Sequence, residues 1–263
     1  MGAYKKFDLA GKRILLVGAT GVLGRGYARA IAECGAKLVI ADRKESDVLA
    51  YAKSIEATGI EIDVADEASV VAAVKAAVAA LGGIDGAVMN AAATGEFLMQ
   101  QGDAFAAFED YPLAVWQRTI DVNLTGTFLV AREAGRAMKQ AGGGSLVTVS
   151  SVYGLVGPDH RIYEQQPFKS FPGYSASKAG IVGLTRWLAT WWGRDGIRVN
   201  CLTPGGVYND HDPAFATAYS NRTPMGRMAD REELVGMLLF LLSDASAYCT
   251  GQTYVVDGGF TAW

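Results

Sequence analysis

The chain has 263 residues, half of them hydrophobic, with 24 basic against 27 acidic side chains and a formal net charge of -3. That length suits one large α/β domain or two small ones, and the interspersed charges leave no basic run for nucleic acid or an anionic membrane. Three well-separated cysteines and only two histidines, His160 and His211, argue against a resident metal and a histidine-based hydrolytic triad.

The opening Met1 to Asp8 lacks the apolar core of a signal peptide, and no apolar stretch reaches membrane-spanning length, so a cytoplasmic location is expected. The first predicted strand, Arg13 to Val17, runs directly into Gly18-Ala-Thr-Gly21-Val-Leu-Gly24, after which an alanine-rich helix begins near Val22. Glycines there permit a tight turn and close approach of backbone amides to a pyrophosphate, while the helix N-terminus supplies partial positive charge. Gly18, Gly21, Leu23 and Gly24 are therefore candidate cofactor contacts. The second strand, Lys37 to Ala41, ends at Asp42, whose carboxylate can accept both ribose hydroxyls of an adenosine and would repel a 2′-phosphate. Arg43 comes next and can instead pair with that phosphate, so NAD is preferred and NADP remains open. Asp63, with Val64, stands at the tip of a short third strand, Gly59 to Ile62, where an adenine can be met. By itself it would also pass for a turn or capping aspartate.

Further strands are predicted at Gly86 to Met89, Ser145 to Ser150, Arg198 to Leu202 and Thr253 to Val256, with helices beginning near Glu67, Pro112, Tyr174 and Asp230. Strands that are apolar throughout, separated by helices, imply a parallel sheet buried on both faces. The expected fold is α/β: one doubly wound, Rossmann-type parallel sheet of about seven strands with helices on both faces, in a single domain spanning 1–263. Three segments break the rhythm: Thr94 to Tyr111, Gly157 to Phe171, and Gly206 to Met228. Each comes after a strand and should emerge at the carboxyl edge of the sheet, where open α/β folds bind ligands. We read them as pocket walls, with 206–229 as the substrate loop region.

Tyr174-Ser-Ala-Ser-Lys178 places a phenol and an ammonium one helical turn apart on one face. At roughly 5 Å and an effective dielectric near 20, the lysine charge favours the phenolate by about 3 kcal/mol, which would lower the phenol pKa by roughly two. Alone, the pair is also what any amphipathic helix surface can carry.

Taken together, the motifs resemble the short-chain dehydrogenase/reductase family over nearly the whole chain. The landmarks stand in order: the glycine turn, Asp42, Asp63-Val64, Asp85-Gly-Ala-Val-Met-Asn90-Ala-Ala, Asp121-Val-Asn123-Leu, Val147-Thr-Val-Ser-Ser151, Tyr174 to Lys178, Arg198-Val-Asn200-Cys-Leu-Thr-Pro204-Gly205, and Asp257-Gly-Gly259. The resemblance implies an NAD(P)-dependent oxidoreductase. In it Tyr174 exchanges a proton with the substrate oxygen, and Lys178 lowers its pKa while binding the nicotinamide ribose. Ser151 hydrogen-bonds the reacting oxygen, and Asn123 holds a water linking Lys178 to solvent. Pro204, Gly205 and Val207 would lie against the nicotinamide, with Asn90 and Ala91 lining the cofactor cleft. No metal is implied.

Several departures bear on specificity. The Gly-x-x-Gly-x-x-Gly spacing is more like the sugar-nucleotide-modifying branch, which keeps an epimerase or dehydratase as the alternative, whereas the 85 residues after Lys178 match the shorter dehydrogenase branch. The 23 positions from Ser151 to Tyr174 exceed the usual spacing. The added segment is either a surface insertion or a polar arm in which Arg161 pairs with a carboxylate or phosphate and Asp159, His160, Tyr163 and Glu164 meet hydroxyls. With Tyr208 to Asp212 in the third loop, this points to a small polar alcohol or ketone of sugar, polyol or sugar-acid type. Trp187, Trp191 and Trp192 share one helix, and the last two, being consecutive, cannot both face one narrow core stripe. A homo-oligomer, tetramer or dimer, is expected.

Overall fold

The computed structural model describes residues 3–95 and 105–263. Strands β1 (Arg13–Val17), β2 (Lys37–Asp42), β3 (Thr58–Glu61), β4 (Gly86–Met89), β5 (Gly144–Val149), β6 (Ile197–Pro204) and β7 (Thr253–Val256) form one sheet. Its order is β3-β2-β1-β4-β5-β6-β7, and every pairing is parallel. The expected Rossmann-type sheet is the observed one. Three strands carry the expected bounds, and the others differ by one or two residues at their ends.

The parallel sheet arises from strands that are apolar on both faces. Along β1, Leu15 and Val17 face one core, while Ile14 and Leu16 face the other. The helices are α1 (Val22–Glu33), α2 (Val48–Ser54), α3 (Glu67–Leu81), α4 (Leu113–Ile120), α5 (Gly126–Ala141), α6 (Pro172–Trp192), α7 (Pro213–Ser220) and α8 (Val235–Leu242). The first core takes Val70, Val74 and Ala77 of α3, Leu129 and Met138 of α5, and Leu188 and Trp192 of α6. The second takes Tyr27 and Ile31 of α1 with Leu238, Leu241 and Leu242 of α8. Since strand order reverses between β1 and β4, the loops leaving those strands diverge and open a crevice at the carboxyl edge.

Besides α2, which the expected elements do not include, two elements differ from expectation, and one expected wall is described only in part. The helix expected from Pro112 is two helices joined by a π-helical turn at Asp121–Thr125. The third loop contains α7, capped by Asp212, whose carboxylate accepts the amides of Ala214 and Phe215. Part of the first expected wall, 96–104, lies outside the described residues.

The consecutive tryptophans separate as helix geometry requires. Trp192 is buried against Gly135 of α5, where a Cβ would collide with its ring. Trp187 and Trp191 are 57% and 65% exposed and stack at 5.3 Å.

Candidate active site

The glycine turn is built by two close approaches. A Cβ on Gly18, whose φ is +82°, would collide with the backbone of Ala91, and one on Gly24 would collide with the Gly18 carbonyl. Gly21 differs, because its missing Cβ would meet nothing within 4 Å. It faces the cleft and leaves room for a ligand against the N-terminus of α1. Asn90 fixes the turn from the neighbouring strand, its Nδ2 donating to the Gly18 carbonyl at 2.7 Å.

Asp42 completes this end. Its Oδ2 accepts the Thr20 amide at 2.8 Å and the Thr20 hydroxyl at 2.6 Å, and its Oδ1 accepts the Arg43 amide at 2.8 Å. Asp63 holds a local turn through its Oδ1 and the Ala65 amide, 3.0 Å apart, while also lining the cleft. The turn reading of its sequence position is thus the one its hydrogen bond displays.

The cleft encloses about 860 Å3. Of the sequence-predicted cofactor residues, Gly18, Gly21, Leu23, Asp42, Arg43, Asp63, Val64, Asn90, Ala91, Pro204, Gly205 and Val207 line it, and Gly24 packs behind the turn. Ser151, Tyr174 and Lys178 line the same cleft. An open glycine face, a helix N-terminus and a carboxylate at the end of β2 fit a dinucleotide.

Lys178 comes from the first turns of α6 and is 3% exposed. Its Nζ donates to the Val149 carbonyl at 2.9 Å and stands 5.6 Å from the centre of the Tyr174 ring. Ser151 lies just past the end of β5, and its Oγ accepts the Tyr153 amide at 3.2 Å. Its hydroxyl also neighbours the Tyr174 phenol closely enough to favour the phenolate.

The electrostatics correct one expectation. Burial pushes the Tyr174 phenol up from its ordinary value, and the neighbouring Ser151 hydroxyl offsets this only in part. The same burial pulls the Lys178 ammonium down to about 8. Desolvation outweighs the attraction that the four-residue spacing suggested. The protein alone holds Tyr174 as a neutral phenol.

Asn123 sits in the π turn, fully buried, and does not line the cleft. Its Oδ1 accepts the Ala93 amide at 2.7 Å and its Nδ2 donates to the Ser177 hydroxyl at 3.0 Å. The amide therefore ties the segment after β4 to α6 beside Lys178. Single π turns recur at functional sites because the extra residue redirects a side chain.

The polar arm is also corrected. Arg161 is bound through two nitrogens to Asp159, at 2.7 and 2.8 Å, and is absent from the cleft lining, as are His160 and Glu164. Asp159 also pairs with Arg222 at 3.0 Å, which fastens the added segment to the third loop. The wall near Tyr174 is largely aromatic: Tyr153, Tyr163, Phe168, Phe171, Phe215 and Tyr219. Except for Tyr163, sequence reasoning did not assign these. The available signal was a set of aromatics in segments outside the strand–helix rhythm, which need a partner to be buried. Polar lining from the third loop is provided by Asn209, Asp210, His211 and Asp212.

A family model described as Enoyl-(Acyl carrier protein) reductase matches residues 18–261. The chain belongs to the short-chain dehydrogenase/reductase family. Among the relatives of this dehydrogenase/reductase, trans-4-hydroxycyclohexanecarboxylate dehydrogenase of Sinomonas cyclohexanicum is 37% identical, across 97% of this chain and 94% of that one. A 3-alpha-(or 20-beta)-hydroxysteroid dehydrogenase of Mycobacterium tuberculosis is 36% identical, across 97% and 91%. A crystal structure of a gluconate 5-dehydrogenase from Burkholderia cenocepacia, in complex with NADP and tartrate, superposes with a TM-score of 0.88 over the full length of both chains at 32% identity. This dehydrogenase/reductase is accordingly an NAD(P)-dependent oxidoreductase acting on CH–OH groups.

Proposed function

We propose that the protein interconverts a secondary alcohol and a ketone on a small polar substrate, with NAD preferred over NADP. The single observation carrying this reading is that Ser151, Tyr174 and Lys178, the lysine one turn behind the phenol, line the same cleft as the glycine turn. The named relatives act on substrates from a ring hydroxy acid to a steroid, so the lining of this cleft must choose among them. Asn209, Asp210, His211 and Asp212 favour a substrate with several oxygens, and the facing aromatic rings suit a compact carbon skeleton.

A bound nicotinamide supplies or accepts the hydride. In the reductive direction the carbonyl oxygen gains negative charge, which the Ser151 hydroxyl stabilises and the Tyr174 phenol neutralises by giving up its proton. In the oxidative direction the Tyr174 oxygen takes the alcohol proton, a step helped by positive charge on Lys178. Asn123 positions α6 through Ser177, and a water beside it would carry protons between Lys178 and solvent.

NAD preference rests on the Asp42 carboxylate, which accepts ribose hydroxyls and repels a 2′-phosphate. Among the described residues no helix is long and apolar enough to cross a membrane, and a cytoplasmic enzyme is the reading we adopt. The stacked, exposed Trp187 and Trp191 support a homo-oligomer joined through the outer face of α6.

The test is Tyr174→Phe in the full-length enzyme. NADH titration should remain close to the unsubstituted protein while turnover of a polyol and sugar-acid panel, read at 340 nm, falls by roughly 100-fold or more. Turnover close to the unsubstituted enzyme would remove Tyr174 from the reaction.

A further inference from the structure

Tyr153 and Tyr163 carry a hydroxyl pair that the reaction described above does not use. The Tyr163 hydroxyl donates to that of Tyr153 at 2.9 Å, and both residues line the cleft. Two phenols joined by one hydrogen bond use one of their two protons and leave the other. No hydrogen bond from the Tyr153 hydroxyl to another described residue accompanies it. Tyr153 is half-buried and faces the cleft, so this proton is available to an oxygen that enters there.

The position of the pair identifies where that oxygen sits. Tyr153 lies two residues after Ser151 in a short 3-10 turn, and its amide is bonded to the Ser151 hydroxyl at 3.2 Å. Tyr153, Ser151 and Tyr174 line the same cleft, which places the Tyr153 phenol toward the reacting end. The Tyr153 ring packs edge-on against Phe260 at 6.3 Å, and Tyr163 is held by Phe168 at 5.9 Å and Phe215 at 5.5 Å. Burial pushes both phenols up, Tyr163 to about 12, so both stay protonated donors across the working pH range.

Resting on the alcohol–ketone reading, we propose that Tyr153 is a specificity-determining residue whose hydroxyl donates to a second substrate oxygen next to the reacting carbon, and that Tyr163 positions it. The substrate class is thereby narrowed to vicinal diols, 2-hydroxyketones or 2-hydroxy acids. Tyr163 belongs to the segment lengthened before Tyr174, so that segment acts on specificity through a phenol in the cleft wall.

The test compares matched alcohols on one carbon skeleton, each vicinal diol or hydroxy acid against its mono-alcohol, with the full-length enzyme. The unsubstituted enzyme should favour the two-oxygen member, and Tyr153→Phe should shrink that preference in kcat/KM by at least about tenfold. Tyr163→Phe should raise KM for the two-oxygen member while leaving kcat within about twofold, because the donor is retained and only its placement is lost. An unchanged preference in Tyr153→Phe overturns the proposal. If Tyr153→Phe no longer binds NADH and so is misfolded, the Tyr163→Phe result decides, and an unchanged KM ratio overturns it. Absence of cofactor-linked turnover by the unsubstituted enzyme on every member defeats the alcohol–ketone reading itself, and this proposal with it.

Discussion

Lys178 stands one helical turn from Tyr174, its Nζ 5.6 Å from the ring centre and bonded to the Val149 carbonyl. The strand carbonyl holds the ammonium at a fixed depth below the phenol, so the two groups share one desolvated environment. Burial disfavours both charged forms: it raises the phenol and lowers the ammonium to about 8.

That coupling gives a pH dependence with a definite sign. A phenol raised above its ordinary value is protonated at neutral pH, so the proton donor for reduction is present there and the base for oxidation is scarce. Alcohol oxidation should climb with pH by up to about tenfold per unit from neutral pH to about 8 and less steeply beyond, where Lys178 gives up the charge that helps the phenolate. Carbonyl reduction should hold at neutral pH and decline as the phenol ionises. Initial rates in both directions between pH 6 and 11 check this, and oxidation that falls with rising pH would contradict it.

Ser151→Ala should lower kcat by roughly 100-fold, because a donor aimed at the developing oxyanion is lost. It also leaves the Tyr153 amide without its acceptor, which should cost about 1 kcal/mol in urea unfolding. Kinetics and equilibrium unfolding of one preparation measure both.

The glycine turn offers a contrast within seven residues of chain. Gly24→Ala forces a methyl into the Gly18 carbonyl and should destabilise the fold by about 2 kcal/mol or more. Gly21→Ala meets open space, so it should melt near the unsubstituted protein while weakening NADH binding by about tenfold or more. Thermal unfolding and cofactor titration separate the two, and equal behaviour would refute the geometry.

Asp42→Ala removes the carboxylate that accepts the Thr20 amide and hydroxyl. The ratio of NADH to NADPH affinity should fall by about tenfold, as a repulsive charge and a ribose acceptor vanish together. Direct titration with both cofactors measures it; tighter NADPH binding by the unsubstituted protein would reverse the assignment.

Trp187→Glu with Trp191→Glu places two charges on the exposed face of α6. Light scattering should show a smaller assembly than that of the unsubstituted protein. An unchanged mass would remove the outer face of α6 from the proposed assembly.

Much of the sheet was legible because its strands are apolar on both faces, a pattern that Ile14 to Val17 and Val39 to Ala41 display in so few residues that little else fits. The cofactor end was legible because glycines and an acidic strand end are defined by local chain geometry. The substrate end was not. Arg161 reads as an anion receptor until Asp159 is seen to occupy it, and charge alone does not reveal which neighbour satisfies it. The rise of the Tyr174 pKa depends on enclosure by residues far along the chain, which a four-residue spacing cannot express.

The π turn at Asp121–Thr125 sets the rotational phase between α4 and α5. Each added residue turns the downstream helix by about 100° about its axis. Removing one residue there, even a polar surface one, would restore a regular α-helix and swing the Asn123 amide away from Ala93 and Ser177, or else rotate the apolar stripe of α5 off the sheet. The segment should therefore tolerate substitution far better than it tolerates a change in length.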